Sequence, residues 1–168
     1  MEKRKQFIIY LFECSQRIYT VLFKRHQAWN MNRKQLLSYP SDTFAYHLGD
    51  FLHQHHFELI PKVESHDAYH ALTGYGIRVE DEIALQYLCF GNGKRSMYLY
   101  GAIVLGTVLL PEYIDYYTKS YSIGKRAVPF HHLNFQSLLD SSYSALKTSI
   151  FNDDLANLHP IQSINNTL

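Results

Sequence analysis

Ser65-His66-Asp67-Ala68-Tyr69-His70-Ala71-Leu72-Thr73-Gly74-Tyr75-Gly76, followed by Val79-Glu80-Asp81-Glu82-Ile83-Ala84-Leu85-Gln86, is the stretch from which both fold and site are read. A helix over Ser65 to Leu72, with Ser65 as N-cap, places His66 and His70 one turn apart on one face, with Asp67 about 100° round from His66. Two imidazoles and a carboxylate then point toward one spot. Gly74-Tyr75-Gly76 is a helix stop and Val79 to Glu82 is a helix start, so Glu82, with eleven residues between it and His70, is a fourth candidate ligand. Nitrogen and oxygen donors in this mixture suit zinc first, then cobalt, iron or manganese, because no cysteine is nearby to demand a softer metal.

The same residues also have a purely structural reading. Asp67 and the Glu80-Asp81-Glu82 run fall in first turns of helices, where carboxylates oppose the positive end of the dipole. The histidine pair belongs to a chain with ten histidines. Burial favours the metal: Ile83, Ala84, Leu85, Tyr87, Leu88, Cys89 and Phe90 make a helix apolar almost all round, an interior element, and a carboxylate beside it needs a compensating partner. The Ser65 to Gly76 stretch with Asp81 to Gln86 resembles the pattern H-D-x-x-H, eleven residues, E of the coenzyme Q biosynthesis protein four family. The resemblance implies a helical, membrane-associated protein that organises ubiquinone assembly and replaces a ring carboxylate by a hydroxyl through oxidative decarboxylation. It also implies a divalent metal held by His66, Asp67, His70 and Glu82. Weaker similarity runs from about Tyr39 to about Ile150 and includes Ser122-Ile123-Gly124-Lys125-Arg126-Ala127, which is similar to a downstream Gly-basic-Ala element. Two places depart from the family: Pro40-Ser41-Asp42-Thr43-Phe44 lacks a glycine-containing turn, and Asn134-Phe135-Gln136 stands where a Trp-Glu-like pair is usual. These departures bear on the substrate more than on the metal.

At 168 residues and 46% hydrophobic, the chain has material for one core, and a single domain over 1–168 is expected, with 152–168 a frayed tail. Turn residues and the absence of period-two patterning predict an all-α bundle of six to seven helices. A long docking helix is read over Lys3 to Gln27, then helices from Pro40-Ser41-Asp42 toward Leu52, at Ser65, and from Val79 to the stop Gly91-Asn92-Gly93. Further helices are read over Ser96 to Leu110, Glu112 to Ser120 and Asn134 to Phe151. The apolar run from Met97 to Leu110 is 14 residues, short of the roughly 18 needed to span a membrane, and is read as a buried helix whose Gly101, Ala102 and Gly106 let a neighbouring helix or an isoprenoid chain come close. Net charge is +1, but it is unevenly placed: residues 1–35 hold eight Lys and Arg against two acids, and the rest of the chain holds eight basic against thirteen acidic residues. That basic amphipathic end is compatible with peripheral contact at an anionic membrane or an acidic partner.

No nucleic-acid reading module is present, so nucleic acid is not an expected partner. Cys14 and Cys89 are too few for a disulfide framework, which points to a reducing, cytoplasmic compartment, with peripheral association on the inner face of the membrane. The start, Met1-Glu2-Lys3-Arg4-Lys5, lacks a cleavage site and reads as mature protein. Expected partners are a prenylated ring or isoprenoid lipid, pathway enzymes or a second copy of the chain. Tyr69, Thr73 and Gln86, within a turn of the ligands, are candidate proton-handling groups. One alternative is a non-catalytic prenyl-lipid scaffold with a structural metal. Another is a histidine-aspartate phosphohydrolase using His66-Asp67 with His47 and Asp115 or Asp140, which leaves His70 and Glu82 unexplained. His53, His55, His56, His131 and His132 are read as surface or core-edge histidines.

Overall fold

The computed structural model describes residues 3–7 and 28–156. The regular elements among them are all helical: α1 (Arg33–Leu36), α2 (Phe44–Gln54), α3 (Glu64–Thr73), α4 (Val79–Gly91), α5 (Met97–Leu109), α6 (Ile114–Arg126) and α7 (Tyr143–Ala156), with 3-10 turns at Pro111–Tyr113 and Phe135–Leu138. Extended pairing among these residues is limited to one isolated bridge, Thr43 with Ser142. The all-α class read from the sequence therefore holds. The docking helix expected over Lys3 to Gln27 lies outside the described residues beyond Phe7, as do Cys14 and the tail after Ala156.

The described residues form two compact units. One contains Tyr75–His132 and residues 3–7. Its centre is α4, which packs against both α5 and α6 and buries Ile83, Ala84, Leu85, Leu88 and Cys89. The expected start at Val79 and the interior character of this helix are both observed. Close approach of α6 depends on Gly124: a Cβ there would strike the Leu88 carbonyl, so any side chain would force the two helices apart. Asn92, expected only as a turn residue, is a buried knot. Its Nδ2 donates to the carbonyls of Gly124 (3.2 Å) and Val128 (3.1 Å), and its Oδ1 accepts from the amides of Phe130 (2.8 Å) and His131 (3.1 Å). Every polar valence of that amide is used.

Two expectations for this unit are corrected. The helix read over Glu112 to Ser120 starts at Ile114 and continues to Arg126, so Ser122 to Arg126 is helical, with Ala127 as its C-cap. Helix α5 is not buried all round. Leu99, Ala102 and Gly106 face inward, whereas Met97, Tyr100, Val104 and Val108 are exposed and Gly101 faces open space. A uniformly apolar run has no hydrophobic periodicity, so the sequence could not say which side lacks a partner.

The other unit contains the described part of Arg25–Gly74 together with Leu133–Ala156. Helix α2 starts one residue later than the Pro40-Ser41-Asp42 signal, because Thr43 is the N-cap and its Oγ1 accepts from Tyr46 N at 3.3 Å. Two first-turn amides, Phe44 N and Ala45 N, donate to Ser141 O and Leu139 O at 2.9 Å each, which ties the 139–141 loop to α2. The helix expected from Asn134 to Phe151 is accordingly split: a 3-10 turn ends at Leu138, the loop is spent on α2, and α7 begins at Tyr143. Phe44 and Tyr69 both pack on Phe135, with ring centroids at 5.8 and 5.4 Å.

Candidate metal centre

Helix α3 begins at Glu64, one residue before the Ser65 expected as its cap; Val63 occupies the cap position and offers no side-chain bond. The burden passes to Glu64, a buried carboxylate in the positive first turn, whose Oε1 accepts from Trp29 N at 3.0 Å. The other end is set by Gly74, which takes a left-handed φ of 74° and donates its N–H to the His70 carbonyl at 2.8 Å. A side chain at that φ would be strained, so the glycine fixes where the helix carrying the histidines stops.

Within α3, His66 and His70 meet. Their Nε2 atoms lie 3.2 Å apart and the rings are nearly perpendicular, at 86°. Two nitrogens bound to one tetrahedral zinc at the usual bond length lie about 3.3 Å apart, so the pair already has ligand spacing. His70 is buried and His66 half-buried. The Asp67 carboxylate is half-buried and does not join the two nitrogens in a close group of donors. Phe51 of α2 lies parallel to the His70 ring, with centroids 5.4 Å apart and planes 9° apart, and its edge meets His55 at 4.8 Å. Burial lowers the pKa of His55, and the neighbouring His70 and His56 lower it further. Nothing in the sequence signals Phe51 or His55 beside His70, since that contact joins two helices across a turn.

Of the hydroxyl candidates, Tyr69 places its ring edge-on against Phe135, and Thr73 spends its hydroxyl on the Tyr69 carbonyl at 2.6 Å. The Thr73 hydroxyl thereby serves the packing of α3. His47 is stacked on Tyr143 at 3.8 Å, and Asp115 and Asp140 are exposed.

On α4 the three first-turn acids have separate fates. Glu80 is buried and accepts from Lys5 Nζ at 2.8 Å, with Arg78 Nη1 at 3.6 Å. Asp81 is buried, accepting from Arg78 Nε and from the Tyr116 hydroxyl, each at 3.0 Å. Burial, then the Asp81 charge, pushes the Tyr116 phenol far above its usual range. Glu82 is half-buried, and Tyr98, whose pKa is raised by burial and by the Glu82 carboxylate, is its neighbour on α5. One turn on, Gln86 is 3% exposed and its Oε1 accepts no hydrogen bond among the described residues. A buried carbonyl oxygen left so is costly and marks a place where a donor belongs.

The chain is thus an all-α protein that sets two imidazoles at a spacing that could hold a metal ion, ahead of an acid-rich helix start. Residues 59–152, more than half of the sequence, match the family described as coenzyme Q (ubiquinone) biosynthesis protein Coq4, and the chain belongs to that family. The matched region contains α3 and α4 entire. "Ubiquinone biosynthesis protein COQ4, mitochondrial" from Clavispora lusitaniae (strain ATCC 42720) is 33% identical over 92 residues, which is 52% of this chain and 29% of that protein. The alignment thus spans less than a third of the relative's length.

Proposed function

We propose that the chain binds one divalent metal, zinc first among the candidates, through His66, Asp67, His70 and Glu82, and acts on the ring of a prenylated quinone precursor. The observation that carries the metal is the 3.2 Å separation of the two Nε2 atoms. Asp67 would have to turn toward the pair from its present position to join it. The five residues Gly74 to Arg78 between α3 and α4 limit the distance between the two helix ends to about 20 Å, so Glu82 is within reach by covalent connection alone. Glu80 and Asp81 are buried and committed to cations, which makes the half-buried Glu82 the better ligand of the three.

Family membership supports the pathway, ubiquinone biosynthesis, and the reaction proposed is oxidative decarboxylation: the ring carboxylate leaves as carbon dioxide, water supplies the hydroxyl that takes its place with release of one proton, and an external oxidant accepts the two electrons. A bound metal would supply Lewis-acid polarisation of an oxygen atom. Gln86 would accept a hydrogen bond from a ring hydroxyl or a water through its open Oε1, and Tyr98 would hold a proton beside Glu82. Removing the gene tests this reading. Accumulation of a prenylated ring that keeps its carboxylate supports it, and an unchanged quinone pool overturns it.

A second reading, a non-catalytic scaffold for prenylated lipid with a structural metal, is favoured by one observation: Thr73, one of the candidate proton-handling groups, spends its hydroxyl on the Tyr69 carbonyl. Two histidines and two carboxylates can close a tetrahedron. A metal-loaded Gln86→Ala chain that restores the quinone pool in the deletion strain would favour the scaffold.

A further inference from the structure

We propose that Phe51 is a positioning residue of the metal centre: its ring fixes the plane of the His70 imidazole and so holds Nε2 toward His66 Nε2. The proposal rests on the metal reading above and deepens it. Phe51 offers a metal no donor atom, so it acts only through His70. All three residues lie in the unit that also contains Leu133–Ala156.

The backbone of His70 is already set. It lies in the last turn of α3, and its carbonyl accepts from Gly74 N at 2.8 Å. Inside a helix, sterics also exclude one of the staggered χ1 wells. They leave χ2 open, because a torsion between a tetrahedral carbon and a flat ring has broad, roughly two-fold wells. Rotation about χ2 swings Nε2 along an arc, so the 3.2 Å approach to His66 Nε2 depends on the ring plane. Phe51 supplies that plane. Its ring is 9° from parallel to His70 with centroids 5.4 Å apart, an offset stack. His70 is 2% exposed, so its ring cannot turn without pushing into packed neighbours, and on this side the neighbour is Phe51.

Phe51 is held in turn. One helical turn on, His55 meets it at 4.8 Å and 64°, and Leu48 and Leu52 of the same helix are fully buried. The start of α2 is fixed by the Thr43 cap and by the Phe44 and Ala45 amides bonded to the 139–141 loop. A plane set by a packed helix needs little further ordering when a ligand arrives. An imidazole that gives its lone pair to a cation becomes electron-poor, and the face of a phenyl ring is electron-rich, so the stack favours the loaded state.

The test compares Phe51→Leu, Phe51→Tyr and Phe135→Leu in the full chain, by competition for zinc against a chromogenic chelator at a temperature where each variant is folded. Phe135 is the control: it is 1% exposed and packs on Phe44 and on Tyr69 of α3, so truncating it loosens the same packing and leaves the Phe51 ring on His70. Phe51→Leu should weaken zinc binding about 10-fold or more. Phe51→Tyr keeps the ring and should restore wild-type affinity, and Phe135→Leu should lower Tm with affinity unchanged. A second readout needs no metal: in EDTA the Phe51 ring current should displace the His70 ring-proton resonances, and Phe51→Leu should abolish that displacement. Equal zinc affinity in Phe51→Leu and wild type overturns the proposal and leaves the metal reading standing. Equal weakening by Phe135→Leu, or His70 resonances that Phe51→Leu does not move, overturns it as well. A wild type that takes up no zinc overturns the metal reading and this proposal with it.

Discussion

Glu80 and Glu82 stand two residues apart in one helix turn, and their alanine variants should fail in opposite ways. The Glu80 carboxylate is 3% exposed and is held by Lys5 at 2.8 Å. Glu80→Ala removes a charge-assisted hydrogen bond of about 1.5–3 kcal/mol. The Lys5 side chain is 27% exposed and can rehydrate, so the ~3–5 kcal/mol of a fully buried broken pair is not reached. A loss of about 2 kcal/mol follows, which for a chain of this length lowers Tm by about 4–8 °C. Glu82 is half-buried, so its carboxylate keeps part of its hydration, and as a first-turn acid it opposes the helix dipole. Glu82→Ala should weaken metal binding at least ~10-fold, which Glu80→Ala should not. The assays are melts followed by circular dichroism in EDTA and competition for metal against a chromogenic chelator. Equal metal affinity in the two variants would make Glu82 a helix-dipole residue only, and an unshifted melt for Glu80→Ala would refute the electrostatic account of the turn.

Other consequences are open to measurement. Asn92→Ala strands the buried Phe130 amide and three further groups, and should cost about 2–4 kcal/mol in a denaturant titration. Gly124→Ala drives a Cβ into the Leu88 carbonyl and should cost about 1–3 kcal/mol or more, whereas Gly101→Ala on the open side of α5 should be neutral or slightly stabilising. Burial, with a smaller contribution from Lys147, holds the His47 pKa below its ordinary value of 6.5 against the opposing pull of Asp50. The folded state then binds fewer protons than the unfolded one in that window, so the stability His47 contributes is complete above pH 6.5 and declines as pH falls below it. The acid side of the stability profile should be flatter in His47→Gln.

Local chemistry was legible where a residue's role is set by its own turn. The break at Gly74 and the start of α4 follow from backbone preferences and appear where the sequence puts them. The spacing of His66 and His70 is likewise a property of one helix turn, and the two nitrogens meet as the spacing requires. Contacts between elements were not legible. The cap of α3 moved off Ser65 because Glu64 is bound by Trp29, 35 residues away. The start of α7 was decided by amides at Phe44 and Ala45 that capture the 139–141 loop. Phe51 and His55 beside His70, and the exposed arc of α5, depend on which helix faces which, and an apolar run such as Met97 to Leu110 carries no pattern that records it.

The central claim is the metal at His66, Asp67, His70 and Glu82, and elemental analysis tests it most directly. Wild type and His70→Ala are stripped with chelator, reloaded with zinc and desalted. About one zinc per chain in the wild type and far less in His70→Ala is the predicted result; equal content in both would contradict the assignment.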